Sequence, residues 1–140
     1  MNRKIIIDTS PIVAILSPKD NYHQICVETL KTIEPPMLTS WAVITEVLWL
    51  IRHNQIAIDS LFRMLEVRLL EIVELPYNSI PWLKNFMSKY HDIGVQIADA
   101  SLCYLAENYQ INKIFTLDRK DFYIYRIKGN QSLDIIPEND

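Results

Sequence analysis

Asp8, Glu46, Asp99 and Asp118 stand among apolar neighbours, where packing alone would not put an acid. Asp8 follows Ile5-Ile6-Ile7 directly, and Asp118 follows Ile114-Phe115-Thr116 after one leucine. Glu46 lies within Ala42-Val43-Ile44-Thr45-Glu46-Val47-Leu48-Trp49-Leu50, and Asp99 within Ile97-Ala98-Asp99-Ala100-Ser101-Leu102. An ionised carboxylate in apolar surroundings needs a partner. Neither Glu46 nor Asp99 has a Lys or Arg three or four residues away, so no local helix ion pair accounts for them. A shared divalent cation would account for all four. Mg²⁺ and Mn²⁺ take oxygen ligands and retain waters that can meet substrate phosphate oxygens. One or two such ions, about 4 Å apart, can activate a water and stabilise both oxygens of a phosphodiester displacement. Each acid taken singly reads as well as a helix cap, a tertiary ion-pair member or a solvated residue. The set is what points to metal.

Other chemistries find less support. Only two glycines occur, Gly94 and Gly129, so neither a Gly-x-x-x-x-Gly-Lys phosphate loop nor a Gly-x-Gly-x-x-Gly dinucleotide turn can be built. His23, His53 and His91 are scattered, and Cys26 and Cys103 are far apart, which gives no zinc spacing. Two cysteines in apolar helical patterns read as reduced core thiols of a cytoplasmic protein. A phospho-acceptor receiver domain would want an acidic pair after its first strand and a lysine after its last, and a phosphatase with an aspartate nucleophile would want Asp-x-Asp. Here Asp8 is followed by Thr9-Ser10.

The elements that must position these acids follow from periodicity and punctuation. The run Ile5 to Ile7 reads as a strand buried on both faces. Ser10 and Pro11 read as the cap and first residue of a helix to Leu16. A second helix is expected over about Tyr22 to Ile33, stopped by Pro35-Pro36, then a strand Met37 to Thr39. Ser40 caps a third helix to about His53, which carries Glu46. A fourth helix (about Ile58 to Arg68), a strand (Leu69 to Leu75) and a fifth helix capped by Asn78 or Ser79 follow. His91 to Gly94 is a break. A sixth helix, Val95 to Tyr109, carries Asp99. Lys113 to Thr116 is a strand, Leu117 to Phe122 a loop, and Leu133 to Ile136 a last strand. Trp41 and Trp49 read as core. Strands alternating with helices imply an α/β fold with a parallel sheet between helical layers. Ligand sites in such sheets lie beyond the carboxyl ends of the strands, where Asp8 and Asp118 fall. Residues 1–137 are expected to form one domain, with 138–140 a frayed tail.

The segments Ile7-Asp8-Thr9-Ser10, Thr45-Glu46-Val47-Leu48, Ala98-Asp99-Ala100 and Thr116-Leu117-Asp118 resemble, in order, the four signature segments of the PIN domain, especially the VapC toxins of bacterial toxin–antitoxin pairs. Tyr90-x-Asp92 and Ala106-Glu107 are similar to that family too. The resemblance implies a three-layer α/β/α sandwich with a mainly parallel sheet, and Mg²⁺-dependent (or Mn²⁺-dependent) cleavage of RNA by metal-activated water. It makes Asp8, Glu46, Asp99 and Asp118 the metal-binding, catalytic carboxylates. Ser10 would order the site through hydrogen bonds to them. Asp121 is a second acid of the last acidic loop; Asp118 is preferred because it is nearer the strand end. The resemblance further implies a cognate antitoxin that masks the site, commonly by inserting a basic residue among the carboxylates.

Between Lys113 and Lys128, basic residues including Arg119, Lys120 and Arg126 interleave with Phe122, Tyr123 and Tyr125. That pattern suits single-stranded RNA and equally suits a solvated loop whose aromatics pack inward. Asp92 reads as a turn residue. The amphipathic helices from Tyr22 to Arg68 offer either a homodimer face, a groove for a partner helix, or plain helix packing. No apolar stretch reaches the roughly 20 residues that span a bilayer, so no membrane is expected. The alternative to a ribonuclease toxin is a non-catalytic PIN-like module that binds RNA or a protein. The net charge of −3 argues at first against a phosphate binder. Without the four proposed ligands, however, 14 basic residues would face 13 acids. The acidity then belongs to one site, which metal would reverse, and RNA should bind better with metal than without it.

Overall fold

The computed structural model describes residues 4–138; of the expected tail, Asn139 and Asp140 lie outside the described residues. The first strand, β1 (Ile6–Ile7), is wholly buried and forms the middle of a five-stranded parallel sheet. The chain runs outward through α1 (Thr9–Leu16), α2 (His23–Leu30), β2 (Met37–Thr39), α3 (Trp41–Leu50), α4 (Gln55–Glu66) and β3 (Leu70–Ile72). It returns through α5 (Ile80–Lys89) and α6 (Ile97–Tyr109) to β4 (Lys113–Phe115), which pairs with the other side of β1. A short helix α7 (Arg119–Ile124), a hairpin of β5 (Arg126–Ile127) and β6 (Gln131–Ser132), and the edge strand β7 (Asp134–Ile136) complete it. The sheet order is β3-β2-β1-β4-β7, every neighbouring pair is parallel, and seven helices among the described residues flank it. This is the α/β sandwich expected of the sequence.

That order matters for function. Successive strands step away from β1 on one side and then resume on the other, so the direction of winding reverses between β1 and β4. A crevice opens at such a switch point, outside the carboxyl ends of the strands. Asp8 ends β1 there, and Asp118 lies just past β4. The register is tight at this place: Ile7 pairs with Phe115, and the Asp8 N–H donates to the Phe115 carbonyl at 2.9 Å.

Helix α6 is the buried spine. Ala98 and every residue from Ala100 to Ala106 are buried, and small side chains (Ala98, Ala100, Ser101, Cys103, Ala106) let it approach the sheet and α3. The buried Ser101 hydroxyl is satisfied, since Ser101 Oγ donates to the Ala98 carbonyl at 2.6 Å and meets Ser40 Oγ at 2.7 Å. Ser40 also caps α3 as expected, its oxygen accepting the Val43 N–H at 3.3 Å. Cys26 and Cys103 are free and buried. No helix among the described residues is long and apolar enough to cross a membrane.

Several local expectations are corrected. Helix α1 begins at Thr9, with Asp8 rather than Ser10 in the capping position, because the chain turns into the helix directly from the strand. Asn54, whose side chain accepts the Ala57 N–H, starts α4 three residues earlier than the apolar pattern indicated. The expected loop after β4 contains α7, capped by Asp118. Trp41 and Trp49 are not core: they are 54% and 64% exposed. Helix α3 buries Val43, Ile44 and Val47, which turns the face carrying Trp41, Thr45 and Trp49 outward. The Arg52 guanidinium lies 3.8 Å above the Trp49 ring.

Candidate metal centre

Five acids converge at the switch point. Oxygens of Asp99, Asp118 and Asp121 lie within 4.8 Å of one another. Asp8 lies close enough to Asp99 and Glu46 to feel their charge, and Asp99 feels Glu46 as well as Asp118 and Asp121. The four acids singled out from the sequence are therefore brought together, and Asp121 joins them rather than competing with Asp118.

Hydroxyls, not cations, hold these carboxylates. Thr116 Oγ1 donates to Asp8 Oδ2 at 2.8 Å and accepts the Asp118 N–H at 3.0 Å, so one hydroxyl ties the acid of β1 to the acid after β4. Thr9 Oγ1 donates to Glu46 Oε1 at 2.7 Å, and Tyr125 donates its phenolic proton to Asp99 Oδ2 at 2.7 Å. Ser10, expected to bond the carboxylates, instead accepts the Leu117 N–H at 3.1 Å with its Oγ and so fixes the backbone leading to Asp118. Asp118 Oδ1 accepts the Asp121 N–H at 3.4 Å, a long bond. Among the described residues no Lys or Arg lies within ion-pair distance of any of the five acids. Among the described residues, Lys120 is the cation whose charge reaches Asp118.

The electrostatic consequence is a set of acids that resist ionisation. Burial raises the Asp8 carboxyl from about 4 to about 7; the Thr9 N–H and the Thr116 hydroxyl partly oppose this, while Asp99 and Glu46 add to it. Asp99 rises to about 6, first from burial and then from Asp118, Glu46 and Asp121, against the opposing Tyr125 hydrogen bond. Asp118 is also raised, again first by burial. Burial and the neighbouring Asp99 hold the Tyr125 phenol well above its ordinary range, so it stays a proton donor. No buried side-chain nitrogen or oxygen among the described residues lacks a hydrogen-bond partner. The unfavourable charge is thus that of buried carboxylates, to which their crowding adds. An all-oxygen donor set, several negative charges and no internal cation fit a hard divalent ion. They would not favour a thiophilic metal.

Thr9 and Thr116 were not singled out from the sequence, and Tyr125 was named there only as one of the aromatics between basic residues. Thr9 and Thr116 did stand beside the acids, which was a usable signal; their partners lie 37 and 108 residues away in the chain, which was not readable. Of the basic residues considered for RNA, Arg119 Nη1 donates to the Pro137 carbonyl at 2.8 Å. Arg126 Nη1 donates to the carbonyls of Tyr123, Ile124 and Tyr125, and Lys120 is exposed. Phe122 and Tyr125 pack inward, ring against ring at 5.1 Å, and Tyr123 is 72% exposed. Asp92 is exposed beside His91, at 2.9 Å.

Comparison with known proteins gives a consistent picture. A family model described as PIN domain matches residues 5–128. Ribonuclease VapC26 of Mycobacterium tuberculosis (strain ATCC 25618 / H37Rv) is 27% identical over 136 residues, spanning 95% of this chain and 100% of that protein. The crystal structure of Mycobacterium tuberculosis VapC20, a sarcin-ricin loop cleaving toxin, superposes with a TM-score of 0.72. It covers 83% of this chain and 91% of that one at 16% identity, a likeness of fold.

Proposed function

Because the chain belongs to the PIN domain family, we propose that it is a divalent-metal-dependent endoribonuclease and the toxin of a toxin–antitoxin pair. The relative named as a ribonuclease, matched over nearly its whole length, supports the activity. The observation that carries the mechanism is the convergence of five carboxylates at the switch point without a cation among them.

Asp8, Glu46, Asp99 and Asp118 would hold Mg²⁺ or Mn²⁺, with Asp121 beside them. When bound, the ion would supply an activated water and charge neutralisation at the phosphodiester. The protein's own work is positioning. Thr116 and Thr9 fix one oxygen of Asp8 and of Glu46 respectively. Tyr125 does the same for Asp99 and resists its protonation. Second-shell donors of this kind orient ligands and tune their basicity. No side chain needs to act as nucleophile. We take residues 1–137 as one catalytic unit, working in the cytoplasm with RNA as substrate and a protein antitoxin as partner, and the toxin as a homodimer.

Cleavage of RNA in Mg²⁺ or Mn²⁺ tests the reading. The wild-type protein should cut, EDTA should abolish cutting, and Asp8→Asn should lower it by more than about 100-fold, beyond the usual loss from second-shell changes. Cleavage that survives EDTA, or equal cleavage by Asp8→Asn, contradicts it.

A further inference from the structure

An acidic centre repels the polyanion it must cut, so the positive charge that holds RNA has to lie elsewhere. A groove of about 380 Å³ runs between α5 and the β5–β6 hairpin. Trp82, Asn85, Phe86 and Lys89, spaced along one face of α5, form one wall, and Arg126 and Lys128 stand on the other. Its one acid, Glu107, is spent on the Trp82 indole, whose Nε1 donates to Glu107 Oε2 at 2.7 Å. Lys89 and Lys128 are exposed, and among the described residues neither has a carboxylate within ion-pair distance. In a chain of net charge −3, this is a local cationic channel.

A chain of contacts joins the groove to the metal centre. Lys89 Nζ lies 5.2 Å from the centroid of the Tyr90 ring. That ring packs edge-on against Tyr125 at 5.0 Å, and the Tyr90 hydroxyl accepts the Arg126 N–H at 2.9 Å. Tyr125 in turn reaches Asp99. A second cavity, of about 610 Å³, shares Glu107, Ile127 and Lys128 with the first and is edged by the amides Asn108, Asn112 and Gln131. Cations followed by amides match a phosphate backbone followed by unpaired base edges.

We propose that this groove binds the single-stranded stretch of RNA that flanks the cleaved phosphodiester, with Lys89 and Lys128 on its phosphates. The inference rests on the ribonuclease reading above and deepens it. Its geometry leaves the acids to the scissile bond and gives the neighbouring phosphates to the hairpin and α5.

The test compares wild type with Lys89→Glu/Lys128→Glu and with the milder Lys89→Gln/Lys128→Gln. Lys19→Glu/Lys31→Glu carries the same charge change at exposed sites outside the groove. Fluorescence anisotropy with a labelled single-stranded RNA, across a salt series, should show about tenfold weaker binding for Lys89→Glu/Lys128→Glu. The salt slope should fall by about 0.7 for each lysine lost. In cleavage assays KM should rise more on long substrates than on the shortest one. Binding, slope and KM equal to those of Lys19→Glu/Lys31→Glu overturn the groove, as does tighter binding of a duplex of equal length. If wild type cuts no RNA, the ribonuclease reading fails, and the anisotropy comparison still decides the groove on its own.

Discussion

The candidate metal centre has two halves held in different ways. Asp8, Glu46 and Asp99 ride on the central strand and on two long helices. Asp8 is 5% exposed, laddered to β4 and tethered by Thr116. Asp118 and Asp121 ride on α7, six residues long, and are joined by one long capping bond. A helix this short has almost no stability of its own, so this half depends on its anchors: Tyr125 at its end, Ser10 and Thr116 at its start, and Arg119 on Pro137. The contrast teaches that the deep half is set by the sheet before any ligand arrives. The shallow half is held by its anchors instead.

Asp99 belongs to both halves, since it interacts with Glu46 and Asp8 on one side and with Asp118 and Asp121 on the other. In one metal-dependent cleavage assay, Asp99→Asn should therefore cost the most, more than about 100-fold. Tyr125→Phe should cost about 10-fold, in the range of second-shell losses. It should also move the acid limb of the pH profile upward, because the phenol is what opposes protonation of Asp99. Asp121→Asn should cost only a few-fold. If Asp121→Asn proves as damaging as Asp99→Asn, the two halves are not distinct.

The deep half should also show in stability. Without metal, Asp8 holds its proton more tightly folded (about 7) than unfolded (about 4). Its share of stability is fully present below pH 4, declines as pH rises, and is lost above pH 7. Thermal unfolding in EDTA should accordingly show the midpoint falling between pH 4 and 7. Asp8→Asn should raise the midpoint by about 5 °C at pH 8, roughly what 1–2 kcal/mol gives in a domain of this size, and should lose that advantage below pH 4. A variant less stable than wild type at pH 8 would mean that the Asp8 charge is not the burden described.

The same division governs how much of the molecule was legible in its sequence. The deep half was readable: Ile5 to Ile7 announces a buried strand, Ser40 a helix start, and the isolation of Glu46 and Asp99 among apolar residues sets them apart. Of the shallow half, Asp118 and Asp121 were readable as acids past a strand end, but the helix that holds them was not. Arg119 to Ile124 is too short to display a helical period, and the hairpin turning at Gly129, at φ +77°, uses two-residue strands. The aromatic residues there gave no sign of direction, because Tyr125 turns inward to Asp99 through contacts from distant α5 and α6. The tryptophans of α3 misled for the opposite reason. Large apolar side chains read as core, and only the choice of Val43, Ile44 and Val47 as the buried face reveals that they point outward.

The central claim is that one site of crowded, hydroxyl-tethered carboxylates exists to hold a divalent ion. Calorimetric titration of the metal-free wild-type protein with Mn²⁺ at pH 8 and at pH 5 tests it most directly. The account expects saturable binding at pH 8, and much weaker binding at pH 5, where Asp8 and Asp99 hold protons that the ion must displace. No binding at millimolar Mn²⁺, or equal binding at both pH values, would contradict it.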